Sequence, residues 1–364
     1  MNSPIARLND FGQSPWYDNL TRTLVSKGGL NQLISEDGIR GVTSNPTIFE
    51  KAMASGAGYD DQLATLAAQG ASVDDIYWEL VLTDVGHAAD ILRPTHDRLD
   101  GRDGFVSVEV SPLLAHDTDA TIEQAAWLWN RLDRPNILIK IPATKAGLPA
   151  ITETIAAGIN VNVTLIFSLE RYQAVLEAYV EGLRKLRANG GDISKVHSVG
   201  SFFVSRLDTE VDRRLPESSA LRGRAAVANA KLAYEVFAHH IAGEEWGYVA
   251  DAANPQRPLW ASTSTKNPAY SDTLYVDDLV GPDSVNTLAQ PSIDALRDHG
   301  DPKPNTITDG VDAARALVEQ ELPAAGVDYA DVVAVLEREG VASFAQSFHD
   351  CLASLDKRRI ELVG

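Results

Sequence analysis

The stretch Asn136-Ile137-Leu138-Ile139-Lys140-Ile141 places one lysine inside a run of apolar, strand-forming residues. Such a run is typical of a parallel β-strand that is covered by helices on one face and packed in the core on the other. A buried ammonium is costly to desolvate, so Lys140 then needs a partner or a chemical role. The same residues are equally consistent with an edge strand whose lysine faces solvent. The stretch therefore predicts a strand and leaves these two environments for Lys140 open.

Seven further stretches have strand character, and helical stretches lie between them. They cover residues 16–18, 41–44, 105–110, 160–167, 197–204, 258–263 and 284–288. A strand, a helix and a further strand joined by short loops predict parallel pairing through right-handed crossovers. Eight such units in one chain predict an α/β fold of the closed (β/α)8 barrel type.

Helical periodicity is clearest in a segment that Ser168 can cap and that Gly190 and Gly191 can end. Further helices are predicted at 73–92, 124–132, 148–157, 225–241, 311–322 and 329–355. The connections 49–104 and 207–256 are long, and no strand is predicted after Ala289. We expect a single barrel domain over residues 1–364, with extra helices and a helical C-terminal extension from about residue 290.

The amino-acid composition excludes several kinds of binding partner and of stabilising site. The chain of 364 residues has 51 acidic and 32 basic residues, so its formal net charge is −19. A field of that sign repels nucleic acid and anionic lipid, and a phosphate site would need local basic residues. Cys351 is the only cysteine, which excludes an intramolecular disulfide and a zinc site with two or more thiolates. Neither a secretory signal nor an apolar run of roughly 20 residues is visible, so we expect a cytoplasmic protein without membrane or nucleic-acid partners.

Polar residues inside the predicted strands are candidates for catalysis. Glu109 interrupts the run 105–110, while Asn162 and Thr164 lie two apart on one strand and so share a face. A lysine in a barrel mouth can attack a carbonyl when its amine is neutral. The simpler interpretation of Glu109 is that it forms an ion pair with Lys140 on the next strand.

Further candidates lie where other strands end. Asp18 and Asn45 close the first two strands, although each is also a natural helix N-cap. Ser201 and Arg206 bracket the end of the sixth strand, and Lys266 follows the seventh. Phosphate sites of this fold lie in the loops after late strands. Taken alone, each of the two cations could equally be solvated. The sequence contains no HExxH, P-loop or dinucleotide-binding motif.

Three segments together are similar to the signature segments of transaldolases. They are 41–49 (GVTSNPTIF), 136–144 (NILIKIPAT) and 158–168 (GINVNVTLIFS). The similarity extends from about residue 10 to residue 290. The sequence 16–19 (WYDN) and the long C-terminal tail resemble the actinobacterial branch of that family.

The resemblance implies a barrel of the class I aldolase group that needs no cofactor and no metal. It implies transfer of a dihydroxyacetone unit from sedoheptulose 7-phosphate to glyceraldehyde 3-phosphate, giving erythrose 4-phosphate and fructose 6-phosphate. The reaction would pass through a Schiff base on Lys140. Sugar phosphates would then be the partners of the chain, and a homo-oligomer stays open.

The resemblance also implies a role for each matching residue. Lys140 would be the nucleophile and Asp18 the acid and base of C–C cleavage, while Glu109 and Thr164 would position a water. The implied substrate-binding residues are Asn45, Asn162, Ser201, Phe203, Arg206 and Lys266. Where many relatives carry a second arginine, this chain has Lys266, which keeps the charge but loses the bidentate fork.

Two alternatives share the same residues. A fructose 6-phosphate aldolase-like lyase would use Lys140 and would differ in how the carbanion is protonated. A non-catalytic barrel that binds sugar phosphates would need no lysine nucleophile, and the intact set of Asp18, Glu109 and Lys140 argues against it.

Overall fold

A closed barrel of eight parallel strands organises the chain. The computed structural model describes residues 3–56 and 58–363. The strands are β1 (Gln13–Asp18), β2 (Gly41–Thr43), β3 (Phe105–Glu109), β4 (Ile137–Pro142), β5 (Val161–Ile166), β6 (Ser198–Phe203), β7 (Arg257–Ala261) and β8 (Ser284–Leu288). Each strand pairs with the next along the chain, and β8 pairs with β1 to close the barrel. The predicted (β/α)8 fold is confirmed.

Helices separate the strands and follow the last one. They are α1 (Pro4–Asp10), α2 (Arg22–Ser26), α3 (Gly29–Asp37), α4 (Pro46–Ala54), α5 (Asp60–Ala68), α6 (Val73–Arg98), α7 (Thr118–Leu132), α8 (Gly147–Ala156), α9 (Leu169–Ala188), α10 (Ser205–Arg214), α11 (Ala225–Ala242), α12 (Glu244–Gly247), α13 (Leu274–Asp277), α14 (Gln290–His299), α15 (Val311–Ala316), α16 (Leu322–Ala324) and α17 (Tyr329–Val363). Short 3₁₀ turns occur at Pro112–Leu114, Ile193–Lys195 and Thr306–Thr308, and a π-helical turn at Leu317–Glu321. In the ranges described, no helix combines the length and the apolar character that a membrane crossing requires.

One helix runs further than the sequence predicts. Helix α6 is predicted over residues 73–92, and the next turn contains Pro94, which lacks a backbone N–H donor. It continues through Pro94 to Arg98. The last turn is held by tertiary contacts, since the His96 ring packs 5.1 Å from the Phe105 ring and His96 Nδ1 lies 2.9 Å from the Asp103 carbonyl oxygen. Packing against the barrel therefore outweighs the local cost of the proline.

Strand register brings the polar residues to one level of the barrel. Glu109 on β3 is the register partner of Lys140 on β4, and Lys140 is in turn the partner of Asn162 on β5. Because side chains alternate along a strand, the apolar neighbours of these residues point away from the barrel axis toward the helices. The C-terminal halves of these strands thus carry a polar interior.

The last helix, α17, crosses the carboxyl-terminal end of the barrel. Its Phe348 ring lies 5.0 Å from the Tyr77 ring, and the Cys351 Sγ lies 3.6 Å from the Met53 Sδ. A Cβ atom at Gly340 would lie 3.1 Å from the Leu165 side chain. Glycine at this position therefore lets the helix pass closely over the end of β5.

The opposite end of the barrel is closed by a buried polar cluster. Asp103 accepts hydrogen bonds from the Ser14 hydroxyl, from Trp16 Nε1 at 2.7 Å and from Arg257 at 3.3 Å. His197 lies close to this cluster, with its ring 5.2 Å from that of Phe105. Asp103 and Arg257 are thus paired with each other within this cluster.

Candidate active site

Lys140 is buried at the centre of the barrel and faces a cavity at its carboxyl-terminal end. Its side chain is 6% exposed, and its Nζ donates a 3.0 Å hydrogen bond to the Ser44 carbonyl oxygen. The same Nζ lies 3.4 Å from Oε2 of Glu109, whose side chain is 3% exposed. The edge-strand interpretation of Lys140 is therefore wrong, and the expected ion pair with Glu109 is confirmed.

Glu109 lies behind the lysine without other support. Burial raises the pKa of the Glu109 carboxyl above its usual range, and the nearby Lys140 ammonium opposes that rise. Neither carboxylate oxygen has a hydrogen-bond partner among the residues described, and the same holds for the Thr164 hydroxyl. These buried oxygens therefore have unused hydrogen-bonding capacity close to the lysine.

Asp18 lies at the end of β1 and lines the same cavity as Lys140. The Thr43 hydroxyl donates a 2.6 Å hydrogen bond to Oδ1 of Asp18 and fixes the carboxylate. Asn45 also lines the cavity, while its Oδ1 accepts a 3.0 Å hydrogen bond from the Ile48 amide. Asn45 thus serves as the N-cap of α4, as its sequence suggests, and its side-chain amide is held at the cavity wall.

Asn162 is part of a buried chain of hydrogen bonds. Its Nδ2 donates to the Ser107 hydroxyl at 3.0 Å, and its Oδ1 accepts from the Ser201 hydroxyl at 2.7 Å. Ser201 lines the cavity, whereas Asn162 and Glu109 lie behind its wall in the ranges that the structure covers. The structure therefore brings Asn162 within one hydrogen bond of the cavity rather than onto its surface.

Arg206 stands where the inner cavity opens outward. Its guanidinium carbon lies 5.0 Å from the centre of the Phe203 ring and 5.8 Å from that of Phe344. Burial lowers the pKa of the guanidinium, while the carboxylates of Asp18 and Glu109 raise it. Arginine stays charged in proteins even so. Across residues 3–56 and 58–363, no carboxylate lies within ion-pair distance of this arginine.

Two connected cavities meet at Arg206. The inner chamber has a volume of about 120 Å³ and contains Lys140, and the outer vestibule has a volume of about 660 Å³. The residues that line both are Asp18, Asn45, Ser262, Arg206, Lys266 and Phe344. Lys266 is exposed there, and the vestibule also contains Lys51 of α4. The carboxylates of Asp18, Glu210 and Glu339 line the vestibule as well, and Glu210 is paired with Arg213 and Arg214. Arg206, Lys266 and Lys51 are therefore the cations that a phosphate site here would use.

The residues that close the vestibule were not among those predicted from the sequence. These come from α17 and α4, and are Leu336, Glu339, Gly340, Ser343, Phe344, Thr47, Ile48 and Lys51. Helical periodicity predicted α17 as a helix but did not show which face covers the barrel. A lone glycine within a helix, Gly340, is the one local signal of a close approach.

The site contains no cluster suited to a metal ion. Within the described part of the chain, no group of three or more histidine, cysteine, aspartate or glutamate side chains is placed to hold one. The reactive groups of the site are the amine of Lys140, the carboxylates of Glu109 and Asp18, hydroxyl groups and the cations at the mouth. They can support carbonyl chemistry on an anionic substrate.

A buried lysine and carboxylate at the carboxyl-terminal mouth of a (β/α)8 barrel define an enzyme of the α/β-barrel class. Residues 15–355 match the family model described as transaldolase/fructose-6-phosphate aldolase. The chain belongs to this family.

Several actinobacterial relatives are similar over nearly the full length. The chain is 52% identical over 359 residues to "Transaldolase 1" of Streptomyces coelicolor, covering 97% of this chain and 94% of that protein. It is 51% identical over 365 residues to "Transaldolase" of Mycolicibacterium paratuberculosis, covering 98% and 97%. It is 49% identical over 358 residues to "Transaldolase" of Saccharopolyspora erythraea, covering 97% of each.

Proposed function

We propose that this protein is a transaldolase that works through an imine on Lys140. It transfers a dihydroxyacetone unit from sedoheptulose 7-phosphate to glyceraldehyde 3-phosphate and so forms erythrose 4-phosphate and fructose 6-phosphate. The observation that carries the proposal is the Lys140 Nζ, which lies 3.4 Å from Glu109 in a cavity that Arg206 and Lys266 also line. The names of the relatives at about 50% identity support the same activity.

The first step joins the ketose to the enzyme. The neutral Lys140 amine attacks the C2 carbonyl, and the resulting carbinolamine loses water to give an iminium. Glu109 accepts the proton from the amine, and a water held between Glu109 and Thr164 shuttles protons to the departing hydroxyl. Support comes from the unpartnered oxygens of both side chains beside the lysine. A carboxyl whose pKa burial has raised is a stronger base than an ordinary glutamate and can both accept and return a proton.

The second step breaks the bond between C3 and C4. Asp18 takes the proton of the C4 hydroxyl, the aldehyde product leaves, and the bonding electrons pass into the iminium to form an enamine. The acceptor aldehyde then enters, the enamine carbon attacks its carbonyl carbon, and Asp18 returns the proton to the new hydroxyl. Water finally hydrolyses the iminium and frees Lys140.

The bound sugar is held at both ends. Asn45 and Ser201 are positioned to bind the dihydroxyacetone hydroxyls, with Asn162 acting on Ser201 through a 2.7 Å hydrogen bond. Arg206 and Lys266 bind the phosphate at the mouth, and Phe203 lines the pocket. The α17 roof limits the entry of water, which would otherwise protonate the enamine before an acceptor arrives.

A turnover assay tests the proposal. Purified protein with fructose 6-phosphate and erythrose 4-phosphate should form sedoheptulose 7-phosphate and glyceraldehyde 3-phosphate, measured by a coupled assay. Fructose 6-phosphate alone should release little free dihydroxyacetone. Rapid release of dihydroxyacetone without an acceptor would favour the lyase, and binding without either product would favour the non-catalytic barrel.

We also propose that residues 1–364 form one domain that works in the cytoplasm. The helices after residue 290 pack on the barrel through buried contacts such as Phe348 with Tyr77 and Cys351 with Met53. The sugar phosphates that the family acts on are charged metabolites, which cells retain in the cytoplasm.

A further inference from the structure

Two aromatic rings from distant parts of the chain flank Arg206. Phe203 is the last residue of β6 and lies just before α10, which carries the arginine. Phe344 belongs to α17, outside the eight strand–helix units of the barrel. Both rings lie within the distance of about 6 Å at which a guanidinium is attracted to an aromatic face.

These rings are the main support of the guanidinium. In the part of the chain that the structure describes, the Arg206 side chain has neither a hydrogen bond to protein nor an ion pair, in contrast to Arg171 and Arg214 nearby. Because no protein acceptor takes a hydrogen bond from this guanidinium within the described residues, its N–H donors are available for a ligand. An arginine held in this way is oriented for an anion without being neutralised by a protein carboxylate.

Phe344 is itself firmly placed. The side chain is 3% exposed, and contacts along α17 fix the helix over the barrel. These are the ion pairs of Asp331 with Arg214 at 2.7 Å and of Glu337 with Arg171 at 3.4 Å, and the 2.8 Å hydrogen bond between the hydroxyls of Ser347 and Thr47. The helix that carries Phe344 is therefore attached to the rest of the protein on both sides of the ring.

We propose that Phe344 is a positioning residue that holds the Arg206 guanidinium ready for the substrate phosphate, so that phosphate affinity depends on the C-terminal helix. The inference rests on the proposed function for the identity of the substrate. It adds an element outside the barrel to the determinants of specificity for phosphorylated sugars.

A matched pair of substitutions on one helix tests the inference. Phe344→Leu removes the ring beside Arg206, and Phe348→Leu removes a ring of equal size and similar burial, one turn further along, that packs on Tyr77 instead. We expect Phe344→Leu to raise the Kd for inorganic phosphate and the KM for fructose 6-phosphate roughly 3- to 30-fold, with little change in kcat. For Phe348→Leu, the phosphate Kd, the KM and the kcat should each stay within about twofold of the wild type, since both rings beside Arg206 remain in place.

Two further variants separate positioning from general loosening of the fold. Phe344→Tyr keeps the ring face and should restore phosphate binding. In an Arg206→Ala background, Phe344→Leu should have no additional effect on the phosphate Kd, because a positioning residue acts only through the group that it positions. The inference would be overturned if Phe344→Leu and Phe348→Leu weakened phosphate binding equally. It would also be overturned if Phe344→Leu raised the phosphate Kd as much in the Arg206→Ala background as in the wild type.

The phosphate measurement also distinguishes this inference from the proposed function. If the wild type has no transaldolase activity, the proposed function fails. A phosphate Kd that is raised in Phe344→Leu but not in Phe348→Leu would still support the role of the ring. If the wild type is active and Phe344→Leu binds phosphate as tightly as the wild type, the proposed function stands and the inference about Phe344 is wrong.

Discussion

The ammonium of Lys140 and the carboxylate of Glu109 lie 3.4 Å apart on adjacent strands, and both are almost wholly buried. A buried ion pair is costly to desolvate and adds little net stability compared with apolar residues of the same size. Its presence beside unpartnered polar oxygens, at the base of an open chamber, is better explained by chemistry than by folding.

Lys140 should be the residue that becomes covalently bound. Incubation with fructose 6-phosphate followed by borohydride should add the reduced sugar to the peptide that contains Lys140, detected by mass spectrometry. Lys140→Ala should abolish the adduct. Lys145→Ala, which removes an exposed lysine just after the same strand, is the matched control and should retain it. An adduct on a different lysine in active enzyme would contradict the assignment.

Glu109 should control the pH dependence of imine formation. The carboxylate form is the proton acceptor, and burial raises the pKa of Glu109. Imine formation should therefore be lost as the pH falls through that raised pKa, which lies above the usual range of a glutamate. In Glu109→Gln the rate of imine formation should fall roughly 10²- to 10⁴-fold. The variant should also lose the decrease in rate at acidic pH, measured by single-turnover trapping. If the rate of the variant still decreased at acidic pH in the same way, that decrease would belong to another group.

Asp18 should act after the imine has formed. Asp18→Ala should still trap with borohydride, but sugar exchange should fall roughly 10²- to 10⁴-fold, because no base remains for the sugar hydroxyl. Thr43→Val removes the 2.6 Å hydrogen bond that orients the carboxylate and should cause a smaller loss in the same step. A folded Asp18→Ala protein that fails to trap would show that Asp18 acts earlier.

The barrel and its buried pair could be predicted because both follow from local patterns. Alternation within strands places Glu109, Lys140 and Thr164 on inward faces, and parallel pairing brings adjacent strands to one level. The polar interruptions of apolar strands were therefore enough to point to Lys140 and its neighbours. The family segments added roles that the residue pattern alone left open.

The roof of the site could not be predicted in the same way. Phe344 and Leu336 fit the apolar face of an ordinary amphipathic helix, and nothing local shows that this face covers a cavity rather than the core. The contact between Phe344 and Arg206 joins the C-terminal helix to the end of β6, and such a pairing depends on the packing of the whole chain. Lys51 was missed because an exposed lysine on a helix usually faces solvent alone.

Stability should depend on pH through His197 at the closed end of the barrel. Burial lowers the pKa of His197 to about 4 from 6.5. The unfolded chain thus binds a proton in this interval while the folded chain does not, so the free energy of unfolding should fall as the pH decreases from 6.5 to 4. Denaturant titrations at several pH values in this range give the free energy of unfolding. Its decrease with falling pH should be smaller for His197→Gln than for the wild type. His116→Gln, which replaces an exposed histidine, is the matched control. Identical slopes for wild type and His197→Gln would contradict the prediction.

Arg206 should be the dominant phosphate contact and Lys266 the weaker one. Arg206 is partly buried at the mouth with its guanidinium 5.0 Å from the Phe203 ring, whereas Lys266 is exposed and offers a point charge. Arg206→Ala should raise the KM for fructose 6-phosphate far more than the KM for unphosphorylated fructose or dihydroxyacetone. Lys266→Ala should do the same more weakly, and Lys266→Arg should equal or improve on the wild type, since arginine adds a bidentate fork. The measurement is the KM for phosphorylated and unphosphorylated donors in each variant. Equal losses on both donors in Arg206→Ala would mean that Arg206 supports the fold or the chemistry instead of the phosphate.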